Sequence, residues 1–381
     1  MDLLNEAKEK AEKVLKHCEK PIGFFASGLP GGYEALWARD SMITSLGAAL
    51  IGEQFKTTFR KSLECLSKYQ SPHGQIPNAV GDYNLDRRSK ITYNTVDSTL
   101  WYIIGHFAYA AAYKDNNLLK QYQKNIEDAF RWLEYQDPDE VGLIAQQPTT
   151  DWQDAFPHKY GYTISTHALY YQALKMRGEN KKAAYLKKII NGEIKKYLSL
   201  YDQNLGYYLP WAWKNHSGNR EQEKWFDSFG NILAILTGLA DRKQAESIIS
   251  YIKEKKINKP YPCKAIFPPL KKGDKEWHSY FSKCSARRPY YYLNAGIWPF
   301  LGGFYVAALV KAKKFKEAAA ELKNLALANK EGKRNKNWGF HEWLYGLSGK
   351  PLSGSNPFQG WSAGTYLLAY ESVKNKKVPF F

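Results

Sequence analysis

The stretch TLWYIIGHFAYAAAYKDNNLLKQYQKNIEDAFRWLEYQ, residues 99–136, decides the fold of this chain. Its first part is apolar nearly all the way round and rich in small residues. Its second part carries one apolar stripe, Ile126, Ala129, Phe130 and Leu133, among charges. A helix that is apolar on every side lies inside a protein, and one with a single stripe lies on the outside. The short connection KDNNL makes the two an inner–outer hairpin.

The same alternation runs along the whole chain. Periodicity of the 3.6 type predicts twelve helices, at roughly 3–19, 40–52, 54–69, 96–114, 118–135, 161–178, 181–199, 228–240, 242–255, 295–313, 315–330 and 361–374. The odd members are amphipathic and charged, the even ones apolar nearly all round, and no run alternates as a strand would. No such hairpin buries its inner face alone, so six of them close into one all-α (α/α)6 barrel. The expectation is a single domain spanning residues 1–381. Gly47, Ala48, Ala111, Ala112, Gly302 and Gly303 are small enough to let inner helices approach closely. Inner-to-outer connections are short, outer-to-inner ones long. All six long loops therefore open at one end, over the N-termini of the inner helices, where free N–H groups and the positive dipole end are found.

Composition excludes several classes. The 381 residues are 44% hydrophobic, enough for a large core, yet the longest apolar runs fall short of a bilayer span. The first twenty residues alternate charge and lack the apolar run of a signal peptide, so the cytoplasm is the expected location. Cys18, Cys65, Cys263 and Cys284 form no CxxC pair, and no metal-binding or nucleotide-binding motif is present. No metal, no cofactor and no membrane partner are expected. The net charge of +18 comes from lysines spread over solvated helix faces, so no specific nucleic-acid site is expected. Aromatic residues make up 15% of the chain, and its 12 tryptophans crowd into the long loops beside acids, amides and arginines. Flat apolar faces next to hydrogen-bonding groups suit sugar rings, which makes a carbohydrate the expected partner.

Each loop contributes to that rim. The first brings Trp37, Arg39 and Asp40, the second Tyr93, Asn94, Asp97 and Trp101, and the third Asp151, Trp152, Asp154 and His158. The fourth carries Trp211, Trp213 and Asp227, the fifth Arg288, Asn294 and Trp298, and the sixth Trp338, His341, Glu342, Gln359 and Trp361. Singly these have plain structural readings. Asp40, Asp97 and Asp227 suit helix caps, and His158 and His341 suit satisfied structural histidines. Together they suit a sugar pocket. Cleaving a glycosidic bond takes one carboxylic acid to protonate the leaving oxygen and one carboxylate to activate water or attack carbon. A serine triad lacks its nucleophile elbow, so a carboxylate pair is the chemistry available.

The loop motifs resemble the catalytic domain of glycogen debranching enzymes of the amylo-α-1,6-glucosidase type. They are WARD (37–40), HGQIPN with YNTVDSTLWYI (73–78 and 93–103), DWQDA with STHALYYQAL, LNAGIWPFLGGFY, GFHEWLYG, and FQGWSAGTYLLA. The match runs in order from about residue 33 to 372, and more distantly includes neutral and alkaline invertases, which share the barrel. The resemblance implies that Asp154 is the general acid and Glu342 the general base of an inverting exo-α-glucosidase of α-glucans. Arg39 and Asp40 would hold the hydroxyls of the terminal sugar, with Trp37, Tyr93, Asn94, Asp97, Trp101 and Trp152 lining its subsite. Asp151 would support or bind substrate, Asn294 and Trp298 would form the opposite wall, and Gln359 and Trp361 the floor. Members usually carry a further N-terminal domain. This chain opens at the barrel, so a separate surface for gripping long glucans is expected to be missing.

The acid must be protonated near neutral pH, which burial beside Trp152 and the nearness of Asp151 favour, while Glu342 should be ionised. Inversion would set the two carboxyls roughly 6.5–9.5 Å apart. An invertase-like sucrose hydrolase is the nearest alternative. A lyase for uronate polysaccharides would use the basic charge, His158 and the RRPYYY run, and a catalytically dead sugar-binding toroid would keep the tryptophans but lose an acid. The fifth loop, residues 257–293, is long enough to be a lid or a dimer contact.

Overall fold

The structure is a computed structural model that describes residues 2–29, 32–82, 89–214, 218–333 and 337–381. Six helices form its inner ring. They are α2 (Ala38–Ala48), α4 (Asp97–Tyr113), α7 (Ile164–Arg177), α9 (Ser228–Thr237), α11 (Pro299–Lys311) and α13 (Gly360–Asn375). Each packs against the next, and α13 packs back on α2, so the ring closes. The outer layer holds α1 (Leu3–Cys18), α3 (Lys56–Lys68), the pair α5 (Asn117–Gln121) and α6 (Gln123–Glu134), α8 (Asn180–Ile190), α10 (Arg242–Glu254) and α12 (Phe315–Lys330). The (α/α)6 toroid expected from periodicity is present.

Burial follows the pattern that defined the elements. In α6 the buried residues are Ile126, Ala129, Phe130, Trp132 and Leu133, one stripe, whereas every residue of α2 is buried. Closest approach occurs where glycine allows it. A Cβ built on Gly47 of α2 would lie 1.9 Å from the backbone oxygen of Gly364 in α13, and one on Gly303 would lie 2.4 Å from Thr365 Cβ. Gly302 instead faces Pro262 and Leu325, and Ala111 is exposed, so neither spaces the inner ring.

Several boundaries differ from the periodic reading, for local reasons. The helix expected from residue 295 begins at Pro299, since proline is suited to the first helical position and disfavours helix before it. The one expected to reach 199 ends at Ile190, just before Gly192 turns at φ 76°. The absence of strands is corrected too. Short antiparallel strands of two to four residues lace the long loops together: Ala35–Trp37 pairs with Ala79–Gly81, and Gly161–Thr163 pairs with both Trp211–Lys214 and Ala145–Gln146. Runs that short carry no visible alternation.

The barrel's axis is filled by rings. Trp101 stacks between Phe229 (6.5 Å) and Phe304 (6.1 Å), Phe300 stacks on Trp361 at 4.2 Å, and Trp152 meets Phe229, Trp298 and Phe300 edge-on. Such pairs contribute about 0.5–1.5 kcal/mol each beyond burial. They form the floor on which the rim stands. Among the described residues no helix is long and apolar enough to cross a membrane.

Candidate active site

Above that floor lies a small inner chamber of about 50 Å³. Trp37, Trp152, Trp298 and Trp361 wall it, and Arg39, Asp40, Asp154 and Glu342 bring charge to it. Tyr33 and Tyr292 complete the lining. Tyr33, Asp154 and Tyr292 also line a wider outer chamber of about 540 Å³, reached past Tyr280, Lys283 and Trp343. The fifth loop is therefore a wall of the outer chamber, contributed by the 3-10 turns Ser279–Lys283 and Ser285–Arg287.

Arg39 and Asp40 arrive together because the strand Ala35–Trp37 runs straight into α2. Arg39 Nη1 donates to both carboxylate oxygens of Asp97, at 3.1 and 2.9 Å, and its Nε lies 3.8 Å from Asp40. A guanidinium held by a carboxylate in this way is fixed in orientation. Asp97 is thus the anchor of Arg39, in the first turn of α4, and not a cap or a chamber wall. Asp227 does cap α9, accepting from Gly230 N at 3.3 Å.

The two acids of the third loop separate cleanly. Asp151 points into the core, where the wholly buried Lys159 ammonium lies 2.7 Å away; that ammonium also reaches Asp227 (3.5 Å) and donates to Gln153 (2.7 Å). Asp154 faces the chambers and remains open to solvent through them. One acid braces the loop, and the next but two is presented.

Burial shifts the chamber's carboxyls upward. Enclosure by protein, with the charges of Asp151 and Asp97 and against the pull of Arg39, brings Asp154 to about 6. Glu342 is only 4% exposed and rises to about 8, although Tyr33 Oη donates to its Oε1 at 3.0 Å. Asp40 rises to about 7, again mainly through burial. The charge of Arg39 is the main influence opposing the rise at Asp154. These shifts run against the expectation that Glu342 is ionised while Asp154 is protonated, since burial raises Glu342 the further.

Seven residues assigned to the pocket from sequence lie elsewhere, Asp97 and Asp151 among them. Trp101 belongs to the barrel core. Asn294 ties the fifth loop together, bonding Leu270 N and O and Ala286 O. Gln359 is buried at the start of α13, behind the chamber wall, and among the described residues its side chain has no hydrogen-bond partner. Tyr93 and Asn94 line a separate cavity. His341 is structural and held neutral by burial, its pKa near 4. His158 stacks on His278 at 4.0 Å. Tyr33, Lys159 and Lys283 were not singled out from sequence, and Tyr292 only as the last ring of the RRPYYY run. Tyr33 had one available signal, its position four residues before Trp37 in the first loop.

A closed toroid of helical hairpins with paired carboxyls in a blind, tryptophan-walled chamber is the frame of a glycoside hydrolase. The chain belongs to the amylo-alpha-1,6-glucosidase family, whose model matches residues 12–368. It is similar to alkaline/neutral invertase C, mitochondrial, of Arabidopsis thaliana, at 28% identity over 39% of this chain and 22% of that protein. The probable alkaline/neutral invertase A, chloroplastic, of the same organism is 21% identical over 98% of this chain and 71% of that one. For the first of these the match spans about a fifth of the relative's length. In fold the chain resembles the GH63 mannosylglycerate hydrolase of Thermus thermophilus, with a TM-score of 0.68 at 14% identity, covering 95% and 99% of the two chains.

Proposed function

We propose that this protein is an inverting exo-α-glucosidase of α-glucans and short α-gluco-oligosaccharides, with Asp154 as general acid and Glu342 as general base. The observation that carries the reading is that both carboxyls line one blind chamber, Asp154 at its junction with the outer chamber and Glu342 deep within. The terminal sugar sits at the mouth of the inner chamber, with its hydroxyls directed inward to Asp40 and the clamped Arg39. The rest of the substrate, which leaves, occupies the wider outer chamber. Asp154 protonates the departing oxygen at that junction. Glu342, oriented by Tyr33, removes a proton from a water that attacks the anomeric carbon on the opposite face, and the product emerges inverted.

Two observations favour variants of this reading. The higher proton affinity of Glu342 favours an exchange of the two roles. Similarity to the invertases favours sucrose as substrate. The test is release of monosaccharide from isomaltose, panose, maltotriose, limit dextrin and sucrose, with the anomer read by proton NMR. Initial β-glucose from an α-glucan supports the proposal and fixes the linkage. Hydrolysis of sucrose alone moves the protein to the invertase side, initial α-glucose removes inversion, and silence across the panel overturns the substrate class.

A further inference from the structure

Tyr93 and Asn94 open onto a second cavity of about 450 Å³, outside the catalytic chambers. It lies between the second loop, the end of α6, the segment 145–150 and the strand Trp211–Lys214. Three features set its chemistry. Aromatic rings face it from Tyr93, Trp132, Tyr135 and Trp213, and Tyr135 is 68% exposed, far more than a ring placed for packing. Amides from Gln75, Asn94, Gln136 and Gln147 are gathered around them, whereas the Gln146 amide is taken up by Thr163, Thr166 and Asp151. Among the described residues the Asn94 side-chain oxygen has no hydrogen-bond partner. Finally, among the described lining residues none carries a charge. In a chain with net charge +18 a site for an anion would recruit lysine, so this one is built for a neutral ligand rich in hydroxyls.

We infer that this cavity is a second, non-catalytic binding site for a neutral oligosaccharide, whose C–H faces rest on the exposed rings and whose hydroxyls pair with the amides. That the glycan is an α-glucan rests on the proposed function; that it is neutral rests on the lining alone. The placement fits a substrate anchor. Thr149 lines the outer chamber and Thr150 this cavity, so a glucan bound here lies beside the catalytic entrance. Gln146 spans the wall between them, donating to Asp151 of the acid loop at 3.2 Å.

The experiment is native electrophoresis toward the cathode in gels with and without limit dextrin, on wild type, Tyr135→Ala and Gln147→Ala. Both residues are exposed, so neither change threatens folding. The expected result is retardation of wild type by the dextrin, a rise of at least threefold in apparent Kd in each variant, and hydrolysis of the disaccharide substrate within twofold of wild type. Unchanged retardation in the variants would overturn the inference, as would a wild-type protein that limit dextrin does not retard. Hydrolysis of the oligosaccharide panel is a separate readout. Its failure would sink the proposed function whatever the gels show, and its success would stand if the second site proved absent.

Discussion

At the scale of single residues, the balance between Asp154 and Glu342 has a kinetic consequence. One group must be protonated and the other ionised, so kcat/KM should rise through about pH 6 and fall through about pH 8 whichever is the acid. With Asp154 as acid, the productive form is a minority on the plateau between those limbs, because the proton prefers Glu342. With the roles exchanged it is the dominant form. α-Glucosyl fluoride separates the cases, because fluoride leaves without a proton and only the base still limits. A single ascending limb near pH 8 identifies Glu342 as base, and one near pH 6 assigns that role to Asp154 and overturns our assignment. Lys159 poses a different question, since its ammonium is the sole nearby cation for Asp151 and a partner to Asp227 among the described residues. Lys159→Met strands two buried carboxylates and should cost about 3–5 kcal/mol in urea unfolding. An unchanged midpoint would mean the cluster is not a brace. That Asp154 and Glu342 reach the rim was legible from sequence through the motifs that carry them, and both do line the inner chamber. Lys159 was not, for a lysine looks the same in the sequence whether it is solvated or wholly buried.

At the scale of elements, the helices announced themselves because burial on all sides or on one stripe leaves opposite hydrophobic signatures, as in α4 and α6. The strands did not, since two to four residues hold too little alternation, and the loops they lace set the final positions of Tyr93 and Asn294. Both residues occur in loops that reach the rim, yet one turns to a neighbouring cavity and the other ties down its own loop. Motif and loop membership place a residue near a site without fixing the direction of its side chain. The helix contacts can be tested directly. Ala is intrinsically favoured over Gly in a helix by up to about 1 kcal/mol. At Gly47, however, the new Cβ would lie 1.9 Å from a backbone oxygen of α13, which cannot rotate aside. Overpacking of that kind costs typically about 1–3 kcal/mol. Gly47→Ala should therefore lower the melting temperature in spite of its helix propensity. A rise on differential scanning calorimetry would show that α2 and α13 have room to separate.

At the scale of the molecule, the ring has no independent half. The chamber takes Trp37, Arg39 and Asp40 from the first hairpin junction, Asp154 from the third, Trp298 from the fifth and Glu342 and Trp361 from the sixth. The ends of the chain are joined as well. Tyr366 Oη of α13 donates to Leu4 O of α1 at 2.9 Å, and Trp338 Nε1 donates to Glu6 at 2.8 Å. Opening any one hairpin exposes inner faces on both of its neighbours, and removes part of the aromatic floor that supports the rest. A chain of this length often unfolds through intermediates, because separate cores melt separately. Closure argues for the opposite here, since each helix of the inner ring shares its apolar surface with two others and none can be lost without cost to both. We therefore expect one cooperative transition in urea, with far-ultraviolet circular dichroism, tryptophan fluorescence and hydrolytic activity lost at the same denaturant concentration. If activity disappears well before helicity, the rim loops melt as a unit of their own, and the short strands that lace them are too weak to couple them to the ring. If the helical signal itself falls in two steps, the toroid is two cooperative blocks, and the reading of residues 1–381 as one domain would have to be abandoned.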